Sequence, residues 1–308
     1  MAFSPNISVA IILVNWNGLE FTSACLSSLK NVDYPDFKVF VVDNGSENQE
    51  GKVLKSRFPE IVLIETGENL GFAGGNNVGI RKALAEGFSH VLLLNNDTVV
   101  EPDFLGELVR ASQKYPDAGI IQPLILFLHN PREIWSAGGK WIQTFCRSIT
   151  LGDREPIANY RVKNPKLDWA TGCAMLLSSK AIEKAGLLNE QFFVYFEDVE
   201  WSLRIQKSGF GIFLEEKSKI YHEAGASSKK QHAEGTLSPR VFYYHVRNQL
   251  FLIRLQHHYK IPSFGYHLGR FILWMGYFLI RGRFTKLRAV AKGLRDGLRE
   301  PLNPGPWR

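Results

Sequence analysis

The sequence predicts a doubly wound, mostly parallel α/β sheet with a C-terminal helical extension, and three observations carry that expectation. Short continuous apolar runs succeed one another over the first 125 residues: VAIILVNW, KVFVVDNGS, IVLIETGEN, HVLLLNNDT and GIIQPLI. Runs of β-branched residues and leucine without polar alternation are what strands covered on both faces look like. Helical patterns such as Leu19 to Leu29 and Asn77 to Gly87 separate these runs, and alternation of strand with helix builds a parallel sheet. Beyond Pro239 the pattern is helical and aromatic. In between, Pro131 to Lys166 reads as a loop-rich insertion with a few short strands. The expected organisation is a ligand-binding α/β domain over 1–230 and a basic helical extension over 231–308.

Composition narrows the partners. The 308 residues are 45% hydrophobic and 22% charged, as in ordinary globular proteins. A net charge of +7 favours an anionic partner. Much of the excess lies between Arg281 and Arg299, with seven basic residues against the single acid Asp296. No nucleic-acid-binding module with basic residues interleaved among aromatics is recognisable, so a nucleic acid is not expected. Three widely spaced cysteines without a CxxC pair suit a reducing compartment. The N-terminus lacks the basic stretch and long apolar core of a secretory signal, so a cytoplasmic location is expected. The apolar run Phe271 to Ile280 has ten residues, against the roughly 20 needed to span a bilayer. With Trp274 and Tyr277 and the basic helix behind it, this stretch suits a helix lying in an anionic membrane surface, peripheral on the inner face of the cytoplasmic membrane. It equally suits a packed helix with a solvated basic face.

Ligands of doubly wound sheets bind outside the carboxyl ends of the strands. Polar residues gather there: Asn15 and Asn17 after the first run, Asp43, Asn44 and Ser46 after the second, Asn95, Asn96 and Asp97 after the fourth. Such residues also populate plain turns, but three sets on one sheet edge favour a site. Asp43 has acceptor oxygens for the N3–H of a uracil or thymine ring. Asp97 is the hard oxygen ligand that Mg²⁺ or Mn²⁺ prefers, a diphosphate completing the shell. Asn95 is placed for the ribose or a metal-bound water. The stretch NLGFAGGNNVGI holds Asn69, Gly71 and Asn77, and its backbone amides can approach an anion or sugar closely. Its glycines at 71, 74, 75 and 79 fit neither GxGxxG nor a P-loop; by itself it reads as a tight start to a helix. Finally, VYFEDVEWSLR sets Glu197, Asp198 and Glu200 among aromatic and aliphatic residues. Carboxylates are seldom fully buried unless paired, and a helix's first turn favours acids, so this acidic face is either solvated or part of a site.

Taken in order, IILVNWNG, VVDNGS, NLGFAGGNN, LNND, TGCAML and FFVYFEDVEWSLR resemble the family 2 glycosyltransferases of GT-A fold, particularly the bacterial rhamnosyltransferase-like branch. The likeness covers Ile7 to Ser228. It implies a nucleotide-sugar donor, dTDP- or UDP-linked, that Asp43 reads through its base. It implies a divalent metal on Asp97, with His222 in KIYHEAGASS at a position for a metal or diphosphate contact. It assigns the catalytic base to Asp198 with Glu197 beside it, and places Thr171, Gly172 and Trp201 toward the acceptor, a glycan or lipid-linked glycan. Glu200, Trp201 and Arg204 also read as residues that orient the helix.

Inverting sugar transfer needs a carboxylate to remove the acceptor hydroxyl's proton as the hydroxyl attacks the anomeric carbon, and a metal to offset charge on the leaving diphosphate. The sequence departs from the family pattern in two places: the DxD motif reads NND, and the segment before the acidic pair reads AGLLNEQFF. No QxxRW follows, which disfavours a processive synthase. Two other functions fit parts of the pattern, a nucleotidyltransferase, which has no use for the acidic pair, and a non-catalytic nucleotide-sugar-binding protein.

Overall fold

The computed structural model describes residues 7–223, 234–256 and 260–303; the expected boundary at 230/231 and the end of the family-like stretch at Ser228 lie outside the described residues. In chain order the elements are β1 (Val9–Asn15), α1 (Leu19–Leu29), β2 (Phe37–Asp43), α2 (Glu50–Arg57), β3 (Val62–Glu65), α3 (Gly71–Ala85), β4 (His90–Leu94), β5 (Thr98–Val100), α4 (Phe104–Lys114) and β6 (Ala118–Phe127). There follow β7 (Ile134–Ser136), β8 (Gly139–Ile142), β9 (Arg147–Thr150), β10 (Ala174–Ser178), α5 (Ser179–Ala185), α6 (Glu197–Lys207), β11 (Gly211–His222), α7 (Pro239–Leu255), α8 (Lys260–Ile280) and α9 (Phe284–Arg299).

The main sheet runs β3-β2-β1-β4-β10-β6-β11-β5, with β7 paired to β6. The first four strands of that order are parallel, as the unbroken apolar runs predict. The sheet departs from the parallel expectation at β10, which runs antiparallel to both β4 and β6, and at β5, antiparallel to β11. TGCAML carries no turn or helix signal that marks a strand reversal, so this insertion is not visible locally.

The central strands feed two cores. Along β1, Ile11 and Leu13 face one layer with α1, α2 and α4, while Ala10 and Ile12 face the other with α3, α5 and α6. Burial on both faces is why the runs do not alternate with polar residues. Helix α3 begins at Gly71, six residues before the periodic stretch beginning at Asn77, because its glycines let it lie almost on the sheet. A Cβ at Gly79 would sit 2.6 Å from the Ile12 side chain.

The insertion is a short ribbon, β8 against β9. Its Trp141 and Cys146 pack with Val246 and Leu250 of α7, Phe271 and Phe278 of α8 and Val290 of α9. Helix α7 also reaches the α/β unit, where Phe251, Leu252 and Leu255 join Trp169, Phe192 and Val199. The C-terminal helices are thus fixed to both the insertion and the layer that carries α6.

Candidate active site

The first strand ends knit a nucleotide-sized edge. Asn15 is fully buried, its amide nitrogen donating to Ser46 Oγ and Glu50 Oε2 at 2.9 Å each and its oxygen accepting from Thr22 at 2.6 Å. Asp43 accepts from the Ser46 amide at 3.0 Å and the Gly51 amide at 2.9 Å, so it shapes the turn into α2 with both oxygens. Each carboxylate oxygen keeps a further lone pair for a donor such as a ring N3–H. Asn44 bridges to Asn69 and to the Gly71 carbonyl, and Asn69 in turn accepts from the Gly71 amide at 2.8 Å. Gly71 has φ +74°, and a Cβ there would meet the Phe193 carbonyl at 2.5 Å, so the glycine-rich start of α3 lies directly against the segment before α6. Exposed Asn17, itself at φ 50°, accepts from the Glu47 amide at 2.8 Å. Asn77 stands apart from this edge: it holds Leu188 and Glu190 and lines a cavity of about 330 Å³ with the Arg81–Glu190 ion pair.

Past β4, Asn96 donates to Thr22 at 2.8 Å, while the Asn95 amide is held by the Cys173 carbonyl at 2.8 Å. Asp97 then meets His222, at the end of β11: Oδ1 lies 3.2 Å from Nε2, an ion-pair distance. The angles do not make a hydrogen bond, and both Asp97 Oδ1 and His222 Nδ1 are buried without a hydrogen-bonding partner. Burial opposes a charge on His222, Cys173 and Asp97 favour it, and the balance lifts its pKa to about 10. A buried carboxylate oxygen without a hydrogen-bonding partner, facing the Nε2 of an imidazole at 3.2 Å, fits a divalent cation, which would take over the role of that proton. Among the described residues no cluster of three or more His, Cys, Asp or Glu side chains forms a complete cage. Two protein ligands suit a hard cation that draws the rest of its shell from phosphate and water.

The acidic pair lies at the start of α6. Phe193, Tyr195 and Phe196 have φ of 64°, 72° and 69°, a left-handed run that side chains rarely adopt. It aims Asp198 at the Gly172 amide, which donates to Oδ2 at 3.0 Å. Burial raises the Asp198 pKa, opposed by the Gly172 and Val199 amides and the Thr171 hydroxyl. Glu197 is more deeply buried, its Oε2 has no hydrogen-bonding partner, and burial with the neighbouring Asp198 charge lifts its pKa well above the ordinary range. The two environments separate the pair: Glu197 keeps its proton while Asp198, supported by three donors, gives its own up first.

Two residues join these groups. The Gly172 amide holds Asp198, and the Cys173 carbonyl holds the Asn95 amide at the strand end that leads to Asp97. Trp201, expected near the acceptor, is instead 0% exposed, with its indole donating to the Gly186 carbonyl at 2.7 Å. It serves with Glu200 and Arg204 to fix α6. Arg204 binds Glu200 with contacts of 2.9 Å and reaches the carbonyls of Ala185 and Leu187.

A second support comes from α7 and has no counterpart in the motif set. Asn248 Nδ2 lies 2.8 Å from the carbonyls of Phe192, Val194 and Tyr195, and Arg247 donates to those of Gln191 and Phe192. They clamp the left-handed run. The signal was three successive polar residues, Arg247, Asn248 and Gln249, directly before the apolar stretch Leu250–Ile253, all three of them buried.

Comparison with known proteins gives the family and the fold. The sequence model described as "Glycosyl transferase family 2" matches residues 10–186. The low-salt glycan biosynthesis hexosyltransferase Agl10 of Haloferax volcanii is 31% identical over 207 residues, which is 66% of this chain and 63% of that protein. The dTDP-rhamnosyl transferase RfbF of Shigella flexneri is 26% identical over 82% of each chain. The mannosyltransferase PcManGT of Pyrobaculum calidifontis, solved with GDP-Man and Mn²⁺, superposes with a TM-score of 0.55 at 14% identity, covering 96% of this chain and 76% of that one. This likeness shows the fold, a GT-A type mixed sheet with C-terminal helices.

Proposed function

The chain belongs to glycosyl transferase family 2, and from that premise we propose an inverting transferase that moves one sugar from a dTDP- or UDP-linked donor to a glycan or lipid-linked glycan acceptor. The carrying observation is the Gly172–Cys173 segment, whose amide holds Asp198 and whose carbonyl holds the strand end leading to the Asp97–His222 pair. Asp198 takes the acceptor hydroxyl's proton as that oxygen bonds to the anomeric carbon and the bond to the diphosphate breaks. Glu197, neutral beside it, keeps like charge away from the reacting hydroxyl. A divalent cation, Mg²⁺ or Mn²⁺, held by Asp97 and His222 would supply positive charge to the departing diphosphate. The strand-end residues Asn15, Asp43, Asn44, Ser46 and Asn69 form the nucleotide edge, and the likeness to RfbF favours a thymine base and rhamnose. Melting curves with UDP-, dTDP- and GDP-sugars plus metal test the donor. A true donor at about 100 times its Kd adds about 2.7 kcal/mol of stability. Release of nucleoside diphosphate, not pyrophosphate, separates this reaction from nucleotidyl transfer.

The acceptor's lipid is supported by α8. No helix among the described residues is long and apolar enough to cross a membrane. Phe271 and Phe278 turn inward, whereas Ile272, Leu273, Leu279 and Ile280 face outward, Leu273 at 74% and Ile280 at 85% exposure. Arg281 and Arg283 follow at once. This is an apolar face with a basic margin, suited to an anionic lipid surface, where each basic residue contributes about 1 kcal/mol. In cosedimentation with anionic liposomes, the double change Ile272→Glu and Leu273→Glu should release the full chain, and salt should weaken wild-type binding. Equal sedimentation of the two proteins would leave this face without a lipid role.

A further inference from the structure

We propose that the cavity of about 210 Å³ bordered by Trp135, Ser136, Thr150, Asp153, Trp169 and Thr171 is the subsite for one pyranose ring of the acceptor. This rests on the transferase reading above and adds the part of the site that chooses what is glycosylated. Its place in the fold comes first. The nucleotide edge lies on β3, β2 and β1, Asp97 follows β4, and the cavity lies at β7 and the approach to β10 farther along the sheet, closed by the end of β9 from the separate ribbon. Asp97 therefore stands between the two, and His222 ends β11 on the cavity's far side in the strand order.

Contacts bind the cavity to those groups on both sides. The Trp135 ring meets His222 edge-on at 4.4 Å between centroids. Thr171, also in the lining, precedes Gly172, whose amide donates to Asp198 Oδ2 at 3.0 Å. A molecule seated here borders the base on one side and the diphosphate's histidine on the other. The group whose hydroxyl must reach Asp198 is the acceptor, which favours it over the donor's sugar as occupant.

The lining has the chemistry of carbohydrate recognition. Two indoles offer apolar surface to ring C–H groups, and hydroxyls and a carboxylate offer partners to sugar hydroxyls. Asp153 is exposed at the rim and makes no hydrogen bond or ion pair among the described residues, so its acceptor oxygens are available. Ser136 already accepts from the Gly138 amide at 3.1 Å, which leaves Asp153 and Thr150 as the adaptable contacts. The volume is below the roughly 300 Å³ at which pockets for drug-sized ligands begin, so it suits a single ring. Trp135, Thr150 and Asp153 all belong to the insertion that follows β6, and this gives the insertion a task.

The test is saturation-transfer NMR on the full chain with UDP or dTDP and Mg²⁺, titrating methyl α-L-rhamnopyranoside and methyl N-acetyl-β-D-glucosaminide, with sorbitol as the control. At least one glycoside should bind to the wild type, and Asp153→Ala should weaken it about tenfold, the loss of one hydrogen bond to a charged group. Trp135→Ala should weaken it as well, and Asp153→Ala, at an exposed position, keeps the test open if Trp135→Ala fails to fold. Nucleotide affinity, measured on the same samples, should stay unchanged. Absence of glycoside binding to the wild type, or equal binding to wild type and Asp153→Ala, overturns the proposal. A parallel loss of nucleotide-sugar affinity also overturns it, by giving the cavity to the donor's sugar. If glycosides bind through Asp153 but no nucleotide binds, the subsite stands and the donor reading falls.

Discussion

Asp198→Asn is expected to lower turnover by about 10²- to 10⁴-fold, the range a general base contributes. The amide has nearly the same shape and still accepts from the Gly172 amide, so nucleotide-sugar affinity by calorimetry should persist. The pH profile supplies a second reading. A base with a raised pKa stays protonated to higher pH than an ordinary aspartate, so turnover in the wild type should fall as pH drops through that raised value. Glu197, which holds its proton, puts no charge beside Asp198, so Glu197→Gln should leave this acidic limb in place. Stability carries the opposite sign for Glu197. The folded chain holds a proton that the unfolded chain releases above its ordinary pKa of 4.5, so this group's contribution is fully present below that value and declines as pH rises toward the raised one. Full turnover in Asp198→Asn would move the base to Glu197. Lost donor affinity together with lost turnover would make Asp198 a structural residue.

Asp97→Ala should reduce turnover by about 10³-fold, the scale of several kcal/mol that metal stabilisation of a leaving group supplies. EDTA should do the same to the wild type. A binding measurement separates this from a folding defect. Mg²⁺ should raise the melting temperature of the wild type in the presence of dTDP or UDP, and this increment should vanish in Asp97→Ala and shrink in His222→Ala. Asp43→Ala should instead weaken nucleotide binding while the metal increment survives. Turnover that is indifferent to EDTA would remove the metal from Asp97 and leave basic side chains to stabilise the diphosphate.

Much of the fold was legible because its cause is local. The run VAIILVN is unbroken since β1 is covered on both faces, and α1 occupies the predicted Leu19 to Leu29 because nothing overrides its pattern. The antiparallel β10 was not legible: its place between β4 and β6 depends on partners far away in sequence. The same division holds in the site. Asp97, Asp198 and His222 follow strands or open a helix and carry unusual chemistry for their positions. Trp201 could not be placed from sequence, because an aromatic residue three positions after an aspartate on a helix faces either the opening or the core depending on rotation. Its indole went to Gly186 in the core. Asn248 was hidden for another reason, since its partners are backbone carbonyls, which leave no mark in sequence.

The position of β10 also constrains how the chain is made. During synthesis β1 to β4 emerge early and can pair in parallel, yet the β4 edge waits for Ala174–Ser178, and β6 waits for both β10 and β11. Until then the growing chain carries unpaired edges on β4 and β6, rich in leucine and isoleucine, the surfaces on which chains associate wrongly. A ribosome halted between Phe127 and Ala174 should hold an aggregation-prone fragment. One released after His222 has a complete sheet but still lacks α7 and its hold on the carbonyls beside Asp198. Maturation of this enzyme is thus ordered by topology: the first strand ends come first, the sheet closes second, and Asp198 is locked in place last.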